Sequence, residues 1–176
     1  KSDLGICLDG DGDRVIFIDE KGNITRGEEI IFLISKFYIK NKLLKKGSTI
    51  VTNEIANFGL DDALKKLGLK LKRVKVGDKN ILEEINKNKY FFGAEPSGHF
   101  IFKDDLLIGD GMTTAIRVLS ILIKEKKKLS ELKKGIVLLD SLEINQKIDK
   151  GKFYQNEQDI YRNLQVLLNK QKLYFN

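Results

Sequence analysis

Ser48-Thr49-Ile50-Val51-Thr52-Asn53 opens the stretch that decides the fold, a run of alternating short apolar segments and amphipathic segments that continues to Ala94. Ser48 to Asn53 reads as a strand, Asn57 to Leu67 as a helix and Lys70 to Val76 as a strand. Asp78 to Asn88 reads as a helix and Tyr90 to Ala94 as a strand. Successive βα units of this kind predict a layered α/β domain with a parallel-type sheet, in which function gathers on loops at the carboxyl ends of strands. Lys75 and Glu95 fall at such ends. Upstream, Val15 to Asp19 reads as a strand, Lys21-Gly22-Asn23 as a turn and Gly27 to Leu44 as an amphipathic helix, with Glu28 and Glu29 at its positive N-terminus. Downstream, Asp110 is placed to cap a helix that runs to about Glu125, with Ile116, Leu119 and Ile123 expected on its buried face. After Lys133-Lys134-Gly135 the character changes. Ile136 to Asn145 reads as strand, Asn156 to Leu168 as helix and Leu173 to Phe175 as the start of another strand.

Chemistry concentrates in two short tracts. Asp9-Gly10-Asp11-Gly12-Asp13-Arg14 directly follows the apolar run Leu4 to Leu8. Three carboxylates at alternate positions repel one another unless a divalent ion neutralises them, and the two glycines let the backbone bend until all three aim at one small ion such as Mg²⁺. Arg14 adds a fixed positive charge beside them, a pairing that suits a phosphoryl group. Three other readings of the loop exist. A calcium EF-hand would use Asp9, Asp11, Asp13 and Glu20, but it needs Gly where Arg14 stands and helices where strands are expected. A strand followed by Asp-x-Asp is similar to haloacid-dehalogenase-like phosphatases, with Asp9 as nucleophile and Asp11 as acid, although that family prefers Thr or Val in place of Asp13. A plain hairpin turn gains nothing from three aligned carboxylates.

The second tract is Gly93-Ala94-Glu95-Pro96-Ser97-Gly98-His99, between the apolar pair Phe91-Phe92 and Phe100-Ile101-Phe102. Between two strands its polar groups form a rigid display. Glu95 can accept two sugar hydroxyls, Ser97 can donate and accept, and His99 can contact a phosphate or move a proton. The only Pro and the only His of the chain lie here. Ser97 lacks the elbow motif and partners of a hydrolase nucleophile.

Together, in this order, the two tracts resemble the α-D-phosphohexomutases, and among them the phosphoglucosamine branch. The metal loop of that family reads Asp-Gly-Asp-x-Asp-Arg, matched by Asp9 to Arg14, and its sugar-recognition loop reads Gly-Glu-x-Ser-Gly-His, matched from Glu95 to His99 with Ala94 in place of the first Gly. Lys75-Val76-Gly77-Asp78-Lys79 is similar to the Lys-Val-Gly-Asp-Arg segment of the phosphoglucosamine branch, and Leu107-Ile108-Gly109-Asp110-Gly111 fits the same branch. The likeness spans about residues 3 to 135. It implies an α/β fold with a layered mixed sheet and flanking helices, plus parts of neighbouring domains. The division it implies is the end of a metal-binding domain at 1–25, a sugar-recognition domain at 26–135 and the start of a phosphate-binding domain at 136–176.

The resemblance also implies a mechanism. A phosphoserine gives its phosphoryl group to a hexose or hexosamine phosphate, the bisphosphate reorients, and the other phosphate returns. Mg²⁺ on Asp9, Asp11 and Asp13 would neutralise the transferring oxygens, with Arg14, His99 and Lys75 as catalytic groups. Glu95, Ser97, His99 and Lys75 would bind the sugar phosphate. Lys75 read alone is equally a solvated strand-end lysine. The family's Thr-Ala-Ser-His-Asn-Pro-type loop matches none of the serines in the chain, and its Arg-x-Ser-Gly-Thr-Glu-Pro clamp is likewise absent. With Lys1 first and Met112 the only methionine, the chain is expected to be a piece of a longer enzyme that is inactive by itself. Its partners would be the preceding and following domains and, for the parent, a second copy in a homodimer. The remaining alternatives are a phosphomannomutase or phosphoglucomutase of the same family, whose readers share both loops, and a binding remnant without turnover.

Composition supports the same class. At 176 residues and 41% hydrophobic the chain can bury one sizeable core. A single cysteine, Cys7, excludes an internal disulfide and any multi-cysteine zinc site, as a reducing cytoplasm permits. No apolar run approaches the roughly 18 residues of a membrane span. The net charge of +7 is carried mainly by lysine, since only five of 32 basic residues are arginine, and the lysines are scattered over helix faces. That distribution argues against nucleic acid and for solvated surfaces that draw in anionic sugar phosphates.

Overall fold

The computed structural model describes residues 2–104 and 108–141. Two sheets organise them. The first is antiparallel: β1 (Gly5–Leu8) pairs with β2 (Val15–Ile18), and β2 pairs with β3 (Ile24–Thr25). Val15 and Phe17 point from β2 into the core, while Ile16 on the other face is exposed. The second sheet runs in the order β5-β4-β6-β7, where β4 is Thr49–Asn53, β5 is Lys70–Val74, β6 is Phe92–Ala94 and β7 is Phe100–Phe102. β4 is parallel to both β5 and β6, as the βα alternation predicts, and β7 folds back antiparallel on β6.

Period-two alternation along β4 divides the core. Ile50 faces a large cluster with Leu60, Leu64, Phe92 and Phe102, whereas Val51 faces a smaller one with Ile81, Ile85 and Ile101. Helices cover both faces. α1 (Gly27–Lys40) and α2 (Gly59–Lys66) supply the larger cluster, and α3 (Asp78–Asn88) supplies the smaller. α4 (Gly111–Glu125) packs on α1 and the antiparallel sheet, followed by the short α5 (Leu129–Leu132). This is a mixed α/β architecture with flanking helices.

Several ends differ from expectation for visible reasons. α1 stops at Lys40, not Leu44, because Lys42 turns left-handed (φ 60°) and the Leu43 and Leu44 amides donate back to the Tyr38 carbonyl. α2 starts at Gly59 because Asn57 is used as an anchor, its Oδ1 accepting from the Gly59 amide. β5 ends at Val74, since Asn80 Nδ2 donates to the carbonyls of Lys75 and Val76 and pulls that segment into a loop.

The buried face of α4 is a correction. Thr114, Ala115, Val118 and Ile121 are buried, while Ile116, Leu119 and Ile123 are exposed, Ile123 by 73%. The helix carries two apolar stripes at helical spacing, so periodicity alone cannot choose between them. Tertiary contacts choose: Arg117 Nη1 donates to the Tyr38 hydroxyl while its guanidinium lies 4.3 Å from the Phe102 ring centre, which fixes the rotation.

The strand expected over Ile136 to Asn145 is not formed in its described part. Ile136 makes one isolated bridge with Lys134, and residues 137–141 are irregular. Their backbone is held instead by a side chain: Asn57 accepts from the Leu139 amide (2.9 Å) and donates to its carbonyl (2.8 Å), as a neighbouring strand would. The helix expected at Asn156 to Leu168 and the strand at Leu173 to Phe175 lie outside the described residues. No helix among the described residues is long and apolar enough to cross a membrane.

Candidate active site

The loop between β1 and β2 brings one carboxylate oxygen each of Asp9, Asp11 and Asp13 within 4.8 Å of one another. Strands on both sides, in place of the helices an EF-hand requires, set the loop's frame. Arg14 holds its first member. The Arg14 amide donates to Asp9 Oδ1 (3.2 Å) and its Nε donates to Asp9 Oδ2 (2.6 Å). Partial burial favours the neutral acid, but these bonds and the charge of Arg14 outweigh it, so the Asp9 carboxyl stays below its usual range and the guanidinium is pushed up in turn. Asp13 is less satisfied. Its Oδ1 is buried without a hydrogen bond among the described residues, with Arg14 Nε 3.5 Å away.

This donor set fits a hard divalent cation. It offers three oxygen ligands and one buried carboxylate oxygen without a donor, and such an orphan otherwise costs free energy. Holding one small cation would draw the three oxygens together from their present spacing, with the glycines of the loop able to follow.

The Glu95–His99 loop is built into the neighbouring sheet. The Glu95 amide donates to the His99 carbonyl (2.9 Å), and the Gly98 amide donates to the Glu95 carbonyl (3.1 Å). Gly98 takes φ +97°, and a side chain there would strike the Val15 carbonyl; in exchange the Val15 amide donates to the Gly98 carbonyl at 3.1 Å. That bond, with a bridge between Arg14 and His99, ties the Glu95–His99 loop to the acidic loop. His99 is buried, its Nδ1 3.2 Å from Asp13 Oδ2. Ser97 is exposed and shares a cleft of about 170 Å³ with Cys7, Leu8, Asp9, Arg14 and Ile16.

Glu95 is oriented from behind. Its Oε1 accepts from Asn53 Nδ2 and from the Gly77 amide, both at 3.0 Å, and Ser97 Oγ lies 3.5 Å from Oε2. Sequence reasoning missed Asn53, at the end of β4 and buried. The available signal was positional: β4 is central and parallel, and polar residues at the carboxyl end of such a strand belong to a site. Arg73 supports that strand end by donating to the carbonyls of Asn53, Glu54 and Ala56, while pairing with Asp61. Lys75 is exposed, two residues before the Gly77 amide that holds Glu95. Thus Asp9, Asp11, Asp13, Arg14, His99 and Ser97 come together, Glu95 adjoins them, and Lys75 stands on the loop behind Glu95.

Comparison with known proteins comes to the same place. Residues 26–138 match the family model "Phosphoglucomutase/phosphomannomutase, alpha/beta/alpha domain III". The chain is 42% identical over 155 residues to the phosphoglucosamine mutase of Ruminiclostridium cellulolyticum, covering 88% of this chain and 34% of that protein. It is 43% identical over 170 residues to that of Caldanaerobacter subterraneus, covering 95% and 38%. The chain therefore spans about a third of the length of the curated relatives it matches. Among solved structures, a phosphoglucomutase/phosphomannomutase family protein from Burkholderia thailandensis superposes with a TM-score of 0.69 at 24% identity, covering 77% of this chain and 29% of that one. The Aspergillus fumigatus N-acetylphosphoglucosamine mutase in complex with GlcNAc-6P and magnesium gives 0.63 at 19% identity, covering 76% and 35%.

Proposed function

Because the chain belongs to the phosphoglucomutase/phosphomannomutase family, we propose that it carries the metal and sugar-reading parts of a phosphosugar mutase that interconverts glucosamine 6-phosphate and glucosamine 1-phosphate in the cytoplasm. The observation that carries this reading is the joining of the two loops: the acidic triad and the recognition loop meet through Asp13 and His99, and Asp9, Arg14 and Ser97 line one cleft. Relatives near 40% identity named phosphoglucosamine mutase support the choice of substrate. In the division proposed, residues 1–25 belong to the metal domain, 26–135 to the sugar-recognition domain and 136–176 to the start of the next.

Asp9, Asp11 and Asp13 would hold Mg²⁺, which when bound supplies positive charge to a transferring phosphoryl oxygen. In the reaction proposed, a phosphoserine O–P bond breaks as one forms to the sugar hydroxyl, and the hydroxyl proton ends on the serine oxygen. The nucleophile is assigned to no serine of this chain. Arg14, fixed by Asp9, places a guanidinium where charge develops on the phosphoryl group. Glu95, with Oε1 already occupied by two donors, presents Oε2 to a sugar hydroxyl, and Ser97 reads a second. Lys75 would draw in the distal phosphate. A preformed pair of readers serves a substrate that must bind in two orientations, because the hydroxyls it reads are common to both.

A mutase assay of the full-length parent enzyme, with Mg²⁺ and a trace of sugar bisphosphate, tests this reading by comparing glucosamine 6-phosphate with mannose 1-phosphate. Preference for the amino sugar is the expected result. Preference for mannose moves the assignment within the family, and release of inorganic phosphate without isomerisation overturns it.

A further inference from the structure

His99 does not face the cleft. The cleft is lined by Cys7, Leu8, Asp9, Arg14, Ile16 and Ser97, and the His99 side chain is only 7% exposed. One ring nitrogen, Nδ1, lies 3.2 Å from Asp13 Oδ2; the other, Nε2, is buried with no hydrogen-bond partner among the described residues. It is also shut in. A Cβ built on Gly109 would fall 1.9 Å from Nε2 and 2.2 Å from Cε1, so the ring occupies the space a side chain at position 109 would take. The backbone on both sides is fixed: hydrogen bonds from the Glu95 amide to the His99 carbonyl and from the Val15 amide to the Gly98 carbonyl hold the loop, and Asp110 is locked as the cap of α4 by the Thr113 amide and hydroxyl. The same helix start reaches the acidic loop through the Gly111 amide, which donates to the Gly12 carbonyl at 2.9 Å.

We propose that His99 is a positioning residue that acts through Asp13, aiming that carboxylate at the cation with Nδ1, and that Gly109 supplies the room its ring needs. The inference rests on the mutase reading and gives the active-site role of His99 a specific form. An imidazole beside a carboxylate, which can only accept, carries its proton on the near nitrogen, Nδ1. Holding Oδ2 in this way leaves Oδ1, the oxygen without a donor, as the one free for the ion. Partners that orient a ligand to a metal typically change its affinity 10- to 100-fold when lost.

The test is Mn²⁺ binding to the full chain, read by the electron paramagnetic resonance of the free ion, with thermal unfolding as the folding control. His99→Asn, whose amide nitrogen falls near the Nδ1 position, is expected to bind within about 3-fold of the parent. His99→Gln, whose amide reaches the Nε2 position instead, and His99→Phe are expected to bind about 10- to 100-fold more weakly at unchanged melting temperature. Gly109→Ala should weaken binding to a similar extent in the His99 background and have little effect once His99→Ala has emptied the space, a non-additivity that independent sites would not show. His99→Phe or Gly109→Ala binding as tightly as the parent would overturn the inference and leave the mutase reading standing. A parent chain that binds no Mn²⁺ would overturn both.

Discussion

The two loops of the candidate site are held in opposite ways. The recognition loop is satisfied from within the protein: its backbone closes on itself and on Val15, and the Glu95 carboxylate takes two donors from β4 and the loop before α3. The acidic loop is left unfinished. Asp11 is exposed, Asp13 keeps a buried oxygen with no hydrogen bond among the described residues, and one guanidinium pairs with two of the three carboxylates. A loop proposed to read a neutral sugar hydroxyl can be rigid before the ligand arrives, because it must only place acceptors and donors. A site that concentrates negative charge is completed by the cation it waits for.

The largest effect that would break this comparison is on the acidic loop. Asp11→Asn removes one of three charges without altering shape, and should weaken divalent-ion binding and reduce turnover by about 100-fold or more. Parallel titration and mutase assays check this, and unchanged activity would reject the metal assignment. Next comes acid. Asp19, in the turn between β2 and β3, is buried, which favours its neutral form, but donors from Asn23, Lys21 and Lys133 outweigh that and hold its pKa at about 2 against an ordinary 3.8. A carboxyl whose folded value is depressed stabilises fully above the unfolded value and loses that contribution as pH falls through the folded one. Between about pH 4 and pH 2 the hairpin should therefore lose about 2 kcal/mol, and Asp19→Asn should flatten that part of the stability profile in denaturant titrations.

Smaller effects sharpen the other side. Asn53→Ala leaves Glu95 with one donor of two and should raise KM for the sugar phosphate about 10-fold, with Mn²⁺ affinity unchanged. An equal loss of both would mean that the loops are not separately organised. Lys75→Met is expected to change KM only a few-fold, with the effect fading at high salt, since an exposed charge acts at long range and is screened.

Much of this was legible in the sequence. The βα alternation from Ser48 to Ala94 reports local periodicity, and the sheet it builds has the expected parallel pairs. The acidic and Glu95–His99 loops stood out because charged and polar residues cluster there between apolar strands, and the structure brings the two loops together. What was not legible depends on distant partners. The two apolar stripes of α4 are equivalent until Arg117 meets Tyr38 and Phe102. Residues 137–141 read as strand because Val137, Leu138 and Leu139 favour one, yet their partner is the side chain of Asn57, 82 positions earlier. Asn53 carries no motif of its own, and the Leu107–Gly111 tract does not say what Gly109 is for; one is known by the carboxylate it steadies, the other by the ring beside it.

The most direct test of the central claim is a calorimetric titration of the full chain with Mn²⁺ and with glucosamine 6-phosphate, for Asp11→Asn and Glu95→Gln side by side. A crossed pattern is expected, in which Asp11→Asn loses the ion and keeps the sugar phosphate while Glu95→Gln keeps the ion and loses the sugar phosphate. Both variants losing both ligands, or neither losing any, would contradict it.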